Sequence, residues 1–283
     1  MRILVVKLAS LGDLLTITPA LRALRTTFGD AHIGVLTTPG SAPALRGLDS
    51  HDEIITFDKF AFDRASDAVR SLPSALRLTS ELRAGDWDTL VLLHHLTTAF
   101  GIAKYAALSL GCGARRRVGL DNGRGRWFLT DAAVDHGFGW QHEVEYWLDV
   151  VRVLGAHHPR VPRLELCIAP DDDGWAAARW DELRTGEAAL LVPGSGAFSR
   201  ARRWSPDRFA AIGQALLERH GLTPLVLSGL EPDEAPLAER VAAQIGPAAK
   251  LVPPAPGAQA LGALLHRCRL VVANDGRLGP ISG

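Results

Sequence analysis

Residues 2–25 read RILVVKLASLGDLLTITPALRALR, an apolar run followed by a polar turn and a stretch that begins with Thr-Pro. The apolar run is short and rich in β-branched residues, and it predicts a buried parallel strand over Arg2–Ala9. Ser10–Asp13 follows as a turn. Thr18 and Pro19 resemble an N-cap and first helical position for a helix over Ala20–Phe28. This order is typical of one repeat of a parallel α/β sheet.

The same alternation continues through the first half of the chain. We expect strands at His32–Thr37, Glu53–Phe57 and Thr89–Leu93. Helices are expected around Ala42–Leu48 and over Ala65–Ala84 and Thr98–Leu110, and Gly137–Leu154 is expected to form a turn and an aromatic-rich helix. Strands that alternate with helices in this way indicate βαβ units.

The second half restarts the pattern after a connection that we place between about 159 and 187, where prolines and an acidic run interrupt regular structure. The strands predicted there are Ala188–Val192, Pro224–Leu227, Lys250–Val252 and Leu270–Ala273, and the helices are Pro206–His220, Asp233–Ile245 and Gln259–Cys268. We therefore predict two Rossmann-like domains facing a cleft, 1–165 and 166–283. The second is expected to be incomplete, because a further helix and strand would normally follow Ala273.

The composition narrows the class of protein. The 283 residues are 47% hydrophobic, which argues against a disordered chain. Lys+Arg and Asp+Glu both number 31, so the basic excess of a nucleic-acid-binding protein is missing. The three cysteines are too widely spaced for a disulfide framework or a zinc site, and no apolar run reaches the ~18 residues that span a bilayer. We expect a protein of the reducing cytoplasm.

Ligands of open parallel sheets bind beyond the carboxyl ends of the strands, so the loops that follow strands hold the candidate site residues. In the first such loop, Asp13 can act as a general base or cap the following helix. The loop has one glycine rather than the G-x-G-x-x-G pattern, which argues against a dinucleotide site and a Rossmann oxidoreductase.

The loop PGSGAFSRARRW, residues 193–204, favours phosphate binding over a solvated basic loop. Gly194 and Gly196 allow backbone N–H groups to converge on an anion, and Ser195 and Ser199 add hydroxyl groups. Arg200, Arg202 and Arg203 supply positive charge, and the helix that starts at Pro206 directs its N-terminus to the same region.

Two further loops remain open in interpretation. Glu231 can accept both hydroxyl groups of a ribose, or together with Asp233 and Glu234 it can favour the start of a helix. Asn274 and Asp275 can lie near a phosphate or belong to a frayed end of the chain.

His94 and His95 follow a strand, and we expect one of them to line the cleft. A shared metal is disfavoured because neighbouring side chains on a strand face opposite sides. Arg115–Arg117, with Arg124 and Arg126, is either a solvated basic loop or a dock for an anionic acceptor or lipid head group.

Several of these segments resemble glycosyltransferase family 9, the bacterial lipopolysaccharide heptosyltransferases. Residues 2–25 carry the most specific resemblance. The others follow in the family's order: RRRVG at 115–119, QHEVEYWLDVVRVL at 141–154, PGSG with RRW in 193–204, SGLEPDE at 228–234 and VVAND at 271–275.

The resemblance implies a GT-B fold and a metal-independent, inverting transfer of a sugar, with heptose as one candidate, from a nucleotide-diphosphate donor to a cell-envelope glycan. It implies that Asp13 is the general base and that Ser195 and Arg203, in the Gly194–Gly196 loop region, hold the diphosphate. It further implies that Glu231 binds the ribose and that Asp275 lies near the donor sugar. The family's histidine after this last aspartate is absent here. A non-catalytic nucleotide or nucleotide-sugar binding protein of the same fold is therefore the alternative.

The resemblance also implies the partners. These are a nucleotide sugar and a glycan or glycolipid acceptor, with no cofactor and no metal. The balanced charge of the chain already argues against nucleic acid as a partner. Domain 1–165 is expected to bind the acceptor, with Gly12, His94 and Arg117 as candidate contacts, and domain 166–283 the donor. The expected location is the cytoplasm, with peripheral contact at the inner face of the membrane.

Overall fold

The computed structural model describes residues 1–59, 65–157, 162–196 and 200–274. The chain divides into two compact units, Met1–Glu165 and Leu166–Gly283. Each unit contains one parallel sheet with helices in the connections between its strands. The predicted α/β fold with parallel sheets is confirmed.

The first unit is built on a six-stranded parallel sheet in the order β3-β2-β1-β4-β5-β6. Its strands are β1 Arg2–Val6, β2 His32–Thr37, β3 Glu53–Thr56, β4 Thr89–Leu92, β5 Arg116–Asp121 and β6 Asp131–Val134. The helices are α1 Leu11–Leu15, α2 Thr18–Thr27, α3 Ala65–Ala84, α4 Ala99–Gly111 and α5 Glu143–Arg152, with a short 3₁₀ turn at Ala42–Leu45.

The second unit has a four-stranded parallel sheet in the order β10-β7-β8-β9. Its strands are β7 Ala188–Val192, β8 Thr223–Leu227, β9 Lys250–Val252 and β10 Leu270–Ala273. The helices are α6 Pro170–Leu183, α7 Pro206–His220, α8 Glu234–Ile245 and α9 Ala258–Arg267, with a 3₁₀ turn at Arg200–Arg202.

Strand burial explains why these short apolar runs become the sheet centres. Four of the five residues of β1 and all five of β7 are buried, since helices cover both faces of a parallel sheet. Each fully buried Leu, Ile or Val side chain contributes about 1.5–3 kcal/mol relative to an exposed one. Val6 of β1 is paired with Leu36 on one side and with Leu92 on the other. The carboxyl ends of the three strands are therefore level, which brings their following loops together.

Four local expectations were wrong. Ser10–Asp13 is not a free turn, because α1 begins at Leu11. Thr18 is not an N-cap: Ile17 holds that position, and the Thr18 hydroxyl donates to the carbonyl of Leu15. Arg115–Arg117 is not a solvated loop throughout, because β5 begins at Arg116, whereas Arg124 and Arg126 are exposed in the loop between β5 and β6.

The fourth wrong expectation concerns the connection between the two domains. We expected this segment to lack regular structure, but it contains α6. Pro170 lies in its first turn together with three aspartates, Asp171–Asp173. Proline at the start of a helix and negative charge near its N-terminus both favour helix initiation, so these residues begin a helix rather than interrupt one.

A search of the described helices found none long and apolar enough to cross a bilayer.

Candidate active site

The first unit has its topological switch point between β1 and β4. The chain runs outward from β1 to β2 and β3, then returns to add β4 on the other side. Crevices form at the carboxyl ends of two strands whose connections diverge in this way, and ligands bind there. The loop after β1 carries Lys7 and Asp13, and the loop after β4 carries His94 and His95.

Asp13 is exposed in the first turn of α1, where the helix dipole favours a carboxylate. Ser10 donates a hydrogen bond from its hydroxyl to Asp13 Oδ2 at 2.8 Å. The Ser10 side chain does not cap the helix backbone, so its hydroxyl orients the carboxylate instead. Gly12 is buried beneath this turn, and its contact with an acceptor stays a prediction.

Lys7 lies beneath the same loop and is a site residue that the sequence interpretation missed. Its side chain is almost fully buried, with 4% of the residue exposed, and Nζ is 3.8 Å from the centre of the Trp147 ring. Burial lowers the Lys7 pKa to about 8, although the carboxylates of Asp13 and Glu143 favour its charged form. The sequence feature that could have identified Lys7 as a site residue is its position directly after a buried strand.

His95 lies between two carboxylates. Its Nδ1 is 2.9 Å from Asp135 Oδ1, and its Nε2 is 3.2 Å from Glu143 Oε1. Burial alone would lower the His95 pKa, but the hydrogen bonds and charges of Glu143 and Asp135 outweigh it, and the pKa is raised. The protonated ring can donate to both carboxylates.

Glu143 responds in the opposite sense. Burial opposes ionisation, yet the hydrogen bond with His95 and the positive charges of His95 and Lys7 lower the Glu143 pKa. His95 also packs edge-on against Tyr146, with ring centres 4.8 Å apart. The site in the first unit is thus a linked set of charges, which sequence spacing could not reveal because its members lie far apart in the chain.

His94 has a structural contact in addition to the contact with the acceptor, which stays a prediction. Its Nε2 accepts a hydrogen bond from the backbone N–H of Leu8 at 2.8 Å, and its ring stacks on Tyr105. Burial lowers the His94 pKa well below its ordinary value, which suits a neutral ring that accepts at Nε2. His94 therefore joins the loops after β1 and β4.

Arg117 is not brought to this edge of the sheet. It lies near the amino end of β5, where its guanidinium donates to the carbonyl groups of Phe128 and Ala114, both at 2.7 Å. Asp13 follows the carboxyl end of β1, so the two residues belong to opposite edges of one parallel sheet. The structure therefore does not bring Arg117 to Asp13, and the contact of Arg117 with an acceptor stays a prediction.

In the second unit the switch point falls between β7 and β10. The loop after β7 begins with Pro193 and Gly194, whose carbonyl groups accept hydrogen bonds from Asn274 Nδ2 at 2.8 and 3.3 Å. Asn274 Oδ1 in turn accepts from the backbone N–H of Trp204 at 2.8 Å. The residue after β10 therefore ties both ends of the glycine loop together.

The carboxylate that lies in this loop is Glu234, at the start of α8. It is buried, and its Oε1 accepts from the backbone N–H groups of Ser195 and Gly196 at 2.8 and 2.7 Å. A Cβ atom on Gly194 would lie 2.6 Å from Oε1, and one on Gly229 would lie 1.8 Å from Oε2, so a side chain at either position would displace the Glu234 carboxylate. Glu231 contributes its backbone N–H to Glu234 Oε2 at 3.4 Å.

Arg203 completes this network. Its guanidinium donates to Ser195 Oγ at 3.0 Å, to Asp233 Oδ2 at 2.6 Å and to Glu234 Oε1 at 3.1 Å. The hydrogen bond from Arg203 lowers the pKa of Asp233. Asp233 and Glu234 in turn raise the pKa of Arg203. The structure thus brings Gly194, Ser195, Gly196 and Arg203 together as predicted. They surround Glu234, for which the sequence suggested only a role at the start of a helix.

Ser199 and Asp275 lie outside the described residues. Among residues 1–59, 65–157, 162–196 and 200–274, no group of three or more His, Cys, Asp or Glu side chains is arranged to hold a metal ion.

A family model described as glycosyltransferase family 9 (heptosyltransferase) matches residues 75–281, which is more than half of the chain. The chain belongs to this family. It is therefore a glycosyltransferase, and the resemblance inferred from the sequence is confirmed. A search of curated proteins found no match to the sequence.

Solved structures share the fold at low sequence identity. A family 9 glycosyltransferase from Veillonella parvula DSM 2008 has a TM-score of 0.81 at 20% identity, covering 99% of this chain and 77% of that chain. Escherichia coli heptosyltransferase WaaC with ADP has a TM-score of 0.76 at 19% identity, covering 100% and 84%. E. coli ADP-heptose lipopolysaccharide heptosyltransferase II has a TM-score of 0.74 at 17% identity, covering 100% and 81%. The GT-B fold is confirmed.

Proposed function

We propose that this glycosyltransferase moves a sugar, with heptose the first candidate, from a nucleotide-diphosphate donor to a hydroxyl group of a cell-envelope glycan or glycolipid, and that Asp13 is the general base. The observation that carries the proposal is the position of Asp13. It is an exposed carboxylate, oriented by Ser10, beside the switch point of the first sheet.

The proposed reaction is a single displacement. The acceptor hydroxyl attacks the anomeric carbon while Asp13 removes its proton, and the bond from that carbon to the diphosphate oxygen breaks with inversion. The electron pair of the broken bond leaves with the nucleoside diphosphate. The proton on Asp13 then passes to solvent.

The donor is proposed to bind the second unit at the glycine loop. There Glu234 holds the backbone N–H groups of Ser195 and Gly196, and the Arg203 side chain is 13% exposed. We infer that Glu234 and Arg203 order the loop and that Arg200 and Arg202, which are exposed, add positive charge for the diphosphate. Glu231 stays the proposed ribose ligand and Asp275 the proposed neighbour of the donor sugar.

The proposal includes no metal and no cofactor. Guanidinium groups and backbone amides can stabilise the negative charge that develops on the leaving diphosphate. The proposed site of action is the cytoplasmic face of the membrane, where a lipid-linked acceptor would be presented.

The test is turnover of the Asp13→Asn variant. A panel of ADP-, GDP-, UDP- and dTDP-sugars, including ADP-heptose, is supplied with a heptose-free lipopolysaccharide extract, and release of nucleoside diphosphate is measured. We expect Asp13→Asn to lower the rate by about 10²–10⁴-fold, which is the contribution of a positioned base. Turnover of the native chain should be unchanged by EDTA.

Asp30→Asn is the matched control, since Asp30 is an exposed carboxylate in the turn that precedes β2, at the opposite edge of the sheet. It should retain the native rate. A native rate in Asp13→Asn would remove the base assignment. A donor that raises the melting temperature of the native chain without any turnover would instead support the non-catalytic alternative.

A further inference from the structure

Large aromatic side chains are exposed on three loops of the first unit. Phe138 and Trp140 are each 72% exposed and Trp127 is 63% exposed, and Phe100 at the start of α4 is 40% exposed. Solvent exposure of several aromatic residues in one region is unusual, because each ring carries a large apolar area that water does not favour.

The three loops are joined to one another and lie next to the candidate active site. Asn122 Nδ2 donates to the carbonyl of Leu96 at 3.1 Å, and Arg124 donates to the carbonyl of Thr97 at 3.3 Å. The ring of Phe138 packs on His95 with centres 4.5 Å apart. Residues 97–104, 122–127 and 136–142 thus all adjoin the chain that follows β4, and we term the three segments together the aromatic surface.

The charge of the aromatic surface is of one sign. Its three segments contain Lys104, Arg124 and Arg126 and no aspartate or glutamate. The acidic residues that border them are engaged by neighbouring groups, and Glu143 pairs with His95 Nε2 at 3.2 Å. Asp135 is buried against His95, and the Asp121 carboxylate accepts hydrogen bonds from the backbone of Gly123 and Gly125.

The exposed aromatic side chains lie on or beside turns of the backbone. Gly123, Gly137 and Gly139 have φ angles of +92°, +88° and +82°, which other residues rarely adopt. Trp140 stacks on His136 within segment 136–142 rather than on the core. The rings therefore stay outside the core of the unit.

We propose that the aromatic surface docks on an anionic phospholipid bilayer. Tryptophan and phenylalanine side chains insert at the boundary between headgroups and acyl chains, and arginine and lysine attract anionic headgroups. This pairing of exposed rings with positively charged side chains is what a bilayer surface requires. The role that we assign to membrane docking rests on the proposed function. A docked surface beside His95 would present the hydroxyl of a lipid-linked acceptor to the loop that carries Asp13.

The test is flotation of the full chain with vesicles, without donor or acceptor. Vesicles of phosphatidylglycerol and phosphatidylcholine are compared with vesicles of phosphatidylcholine alone. We expect binding to the anionic vesicles, weakening as salt rises, and much weaker binding to the neutral ones. Arg126→Gln should weaken binding by about fivefold, the effect of one basic residue near the membrane surface. Trp127→Ser with Trp140→Ser should weaken it by at least about tenfold.

The matched control lies at the opposite edge of the same sheet. Leu110 is 47% exposed at the end of α4 and Arg115 is exposed just before β5, so Leu110→Ser with Arg115→Gln removes one apolar and one basic side chain from that edge. This control should bind vesicles like the native chain. Tryptophan fluorescence gives a second readout, since its blue shift on vesicle binding should be lost in Trp127→Ser with Trp140→Ser.

Failure of the docking surface and failure of the proposed function give different results. The docking proposal would be refuted if the chain did not bind anionic vesicles, or if the aromatic variants and the control lost vesicle binding equally. Either result would leave the proposed glycosyl transfer unaffected. Binding to a lipid-free acidic oligosaccharide but not to vesicles would also overturn the docking proposal. Vesicle binding by a chain that shows no transfer would support the surface and refute the proposed function.

Discussion

Lys7 carries an energetic cost that its position explains. Its pKa of about 8, compared with an ordinary value near 10.5, means that the folded chain holds this proton less tightly than the unfolded chain does. The difference corresponds to on the order of 3 kcal/mol against folding when the amine is charged. The contact with the Trp147 ring returns about 2 kcal/mol, since a desolvated cation–π pair is worth that much.

Replacement of this lysine should therefore stabilise the chain and impair transfer. We expect Lys7→Met to raise the stability of the first unit by about 1 kcal/mol, or roughly 3 °C in melting temperature. Transfer should fall, because a positive charge beside Asp13 is lost. The gain in stability should shrink as pH rises above about 8, where the native lysine loses its proton.

Lys250→Met is the matched control, because Lys250 is partly exposed in β9 and no comparable gain is expected there. Scanning calorimetry at several pH values measures the stability, and nucleotide release measures the transfer. A Lys7→Met chain that melts below the native chain at neutral pH would contradict the interpretation of Lys7 as a buried, costly charge.

At the scale of elements, the glycine loop after β7 is organised by the first residue of α8. Glu234 accepts hydrogen bonds from Ser195, Gly196 and Arg203, whereas Glu231 joins the network through its backbone. The two glutamates are three residues apart and have the same chemistry, so sequence reasoning could not separate their roles. Burial separates them, since Glu234 is buried and Glu231 is partly exposed.

The two glutamates should therefore respond differently to loss of charge. Glu234→Gln should lower stability by roughly 1–3 kcal/mol, since it leaves buried donors poorly satisfied, and it should weaken ADP binding through disorder of the loop. Glu231→Gln should change stability by less than about 0.5 kcal/mol and weaken ADP binding about tenfold through loss of the ribose contact. Chemical denaturation and calorimetric titration with ADP distinguish the two. Unchanged ADP affinity in Glu231→Gln would remove the ribose assignment.

At the scale of the whole molecule, the residues proposed for catalysis and those proposed for donor binding lie in different units. Asp13, Lys7 and His95 belong to Met1–Glu165, and the glycine loop with Glu234 and Arg203 belongs to Leu166–Gly283. If the donor binds the second unit, its nucleotide should stabilise that unit and leave the loops of the first unit unchanged.

Hydrogen exchange with and without ADP tests this division. We expect slower exchange of the backbone amides at 194–196 and 228–231 and unchanged exchange at 8–15 and 94–98, because bound ligand suppresses local opening where it makes contact. UDP and dTDP serve as controls for the choice of nucleotide. Protection confined to the loops of the first unit would contradict the assignment of the donor to the second unit.

Sequence prediction succeeded where local signals were strong. β2, β7, β9 and β10 begin and end where the apolar runs predicted, and the loops after β1 and β7 hold the residues selected for chemistry. It failed at β5 and β6, since Arg116 reads as a solvated residue until Asp131 on the adjacent strand pairs with it at 3.2 Å. That pairing requires the sheet and leaves no trace in the local sequence.

The amino-acid sequence by itself determined the α/β class, the family and the position of Asp13 at the end of the first strand, because each depends on residues that are neighbours in the chain. Only the tertiary structure decided that Lys7 is buried on Trp147, that His95 bridges Asp135 and Glu143, and that Glu234 occupies the glycine loop. These contacts join residues up to 140 positions apart in the chain. Burial and charge pairing at that separation depend on how strands align at their carboxyl ends, a property of the folded sheet rather than of any segment.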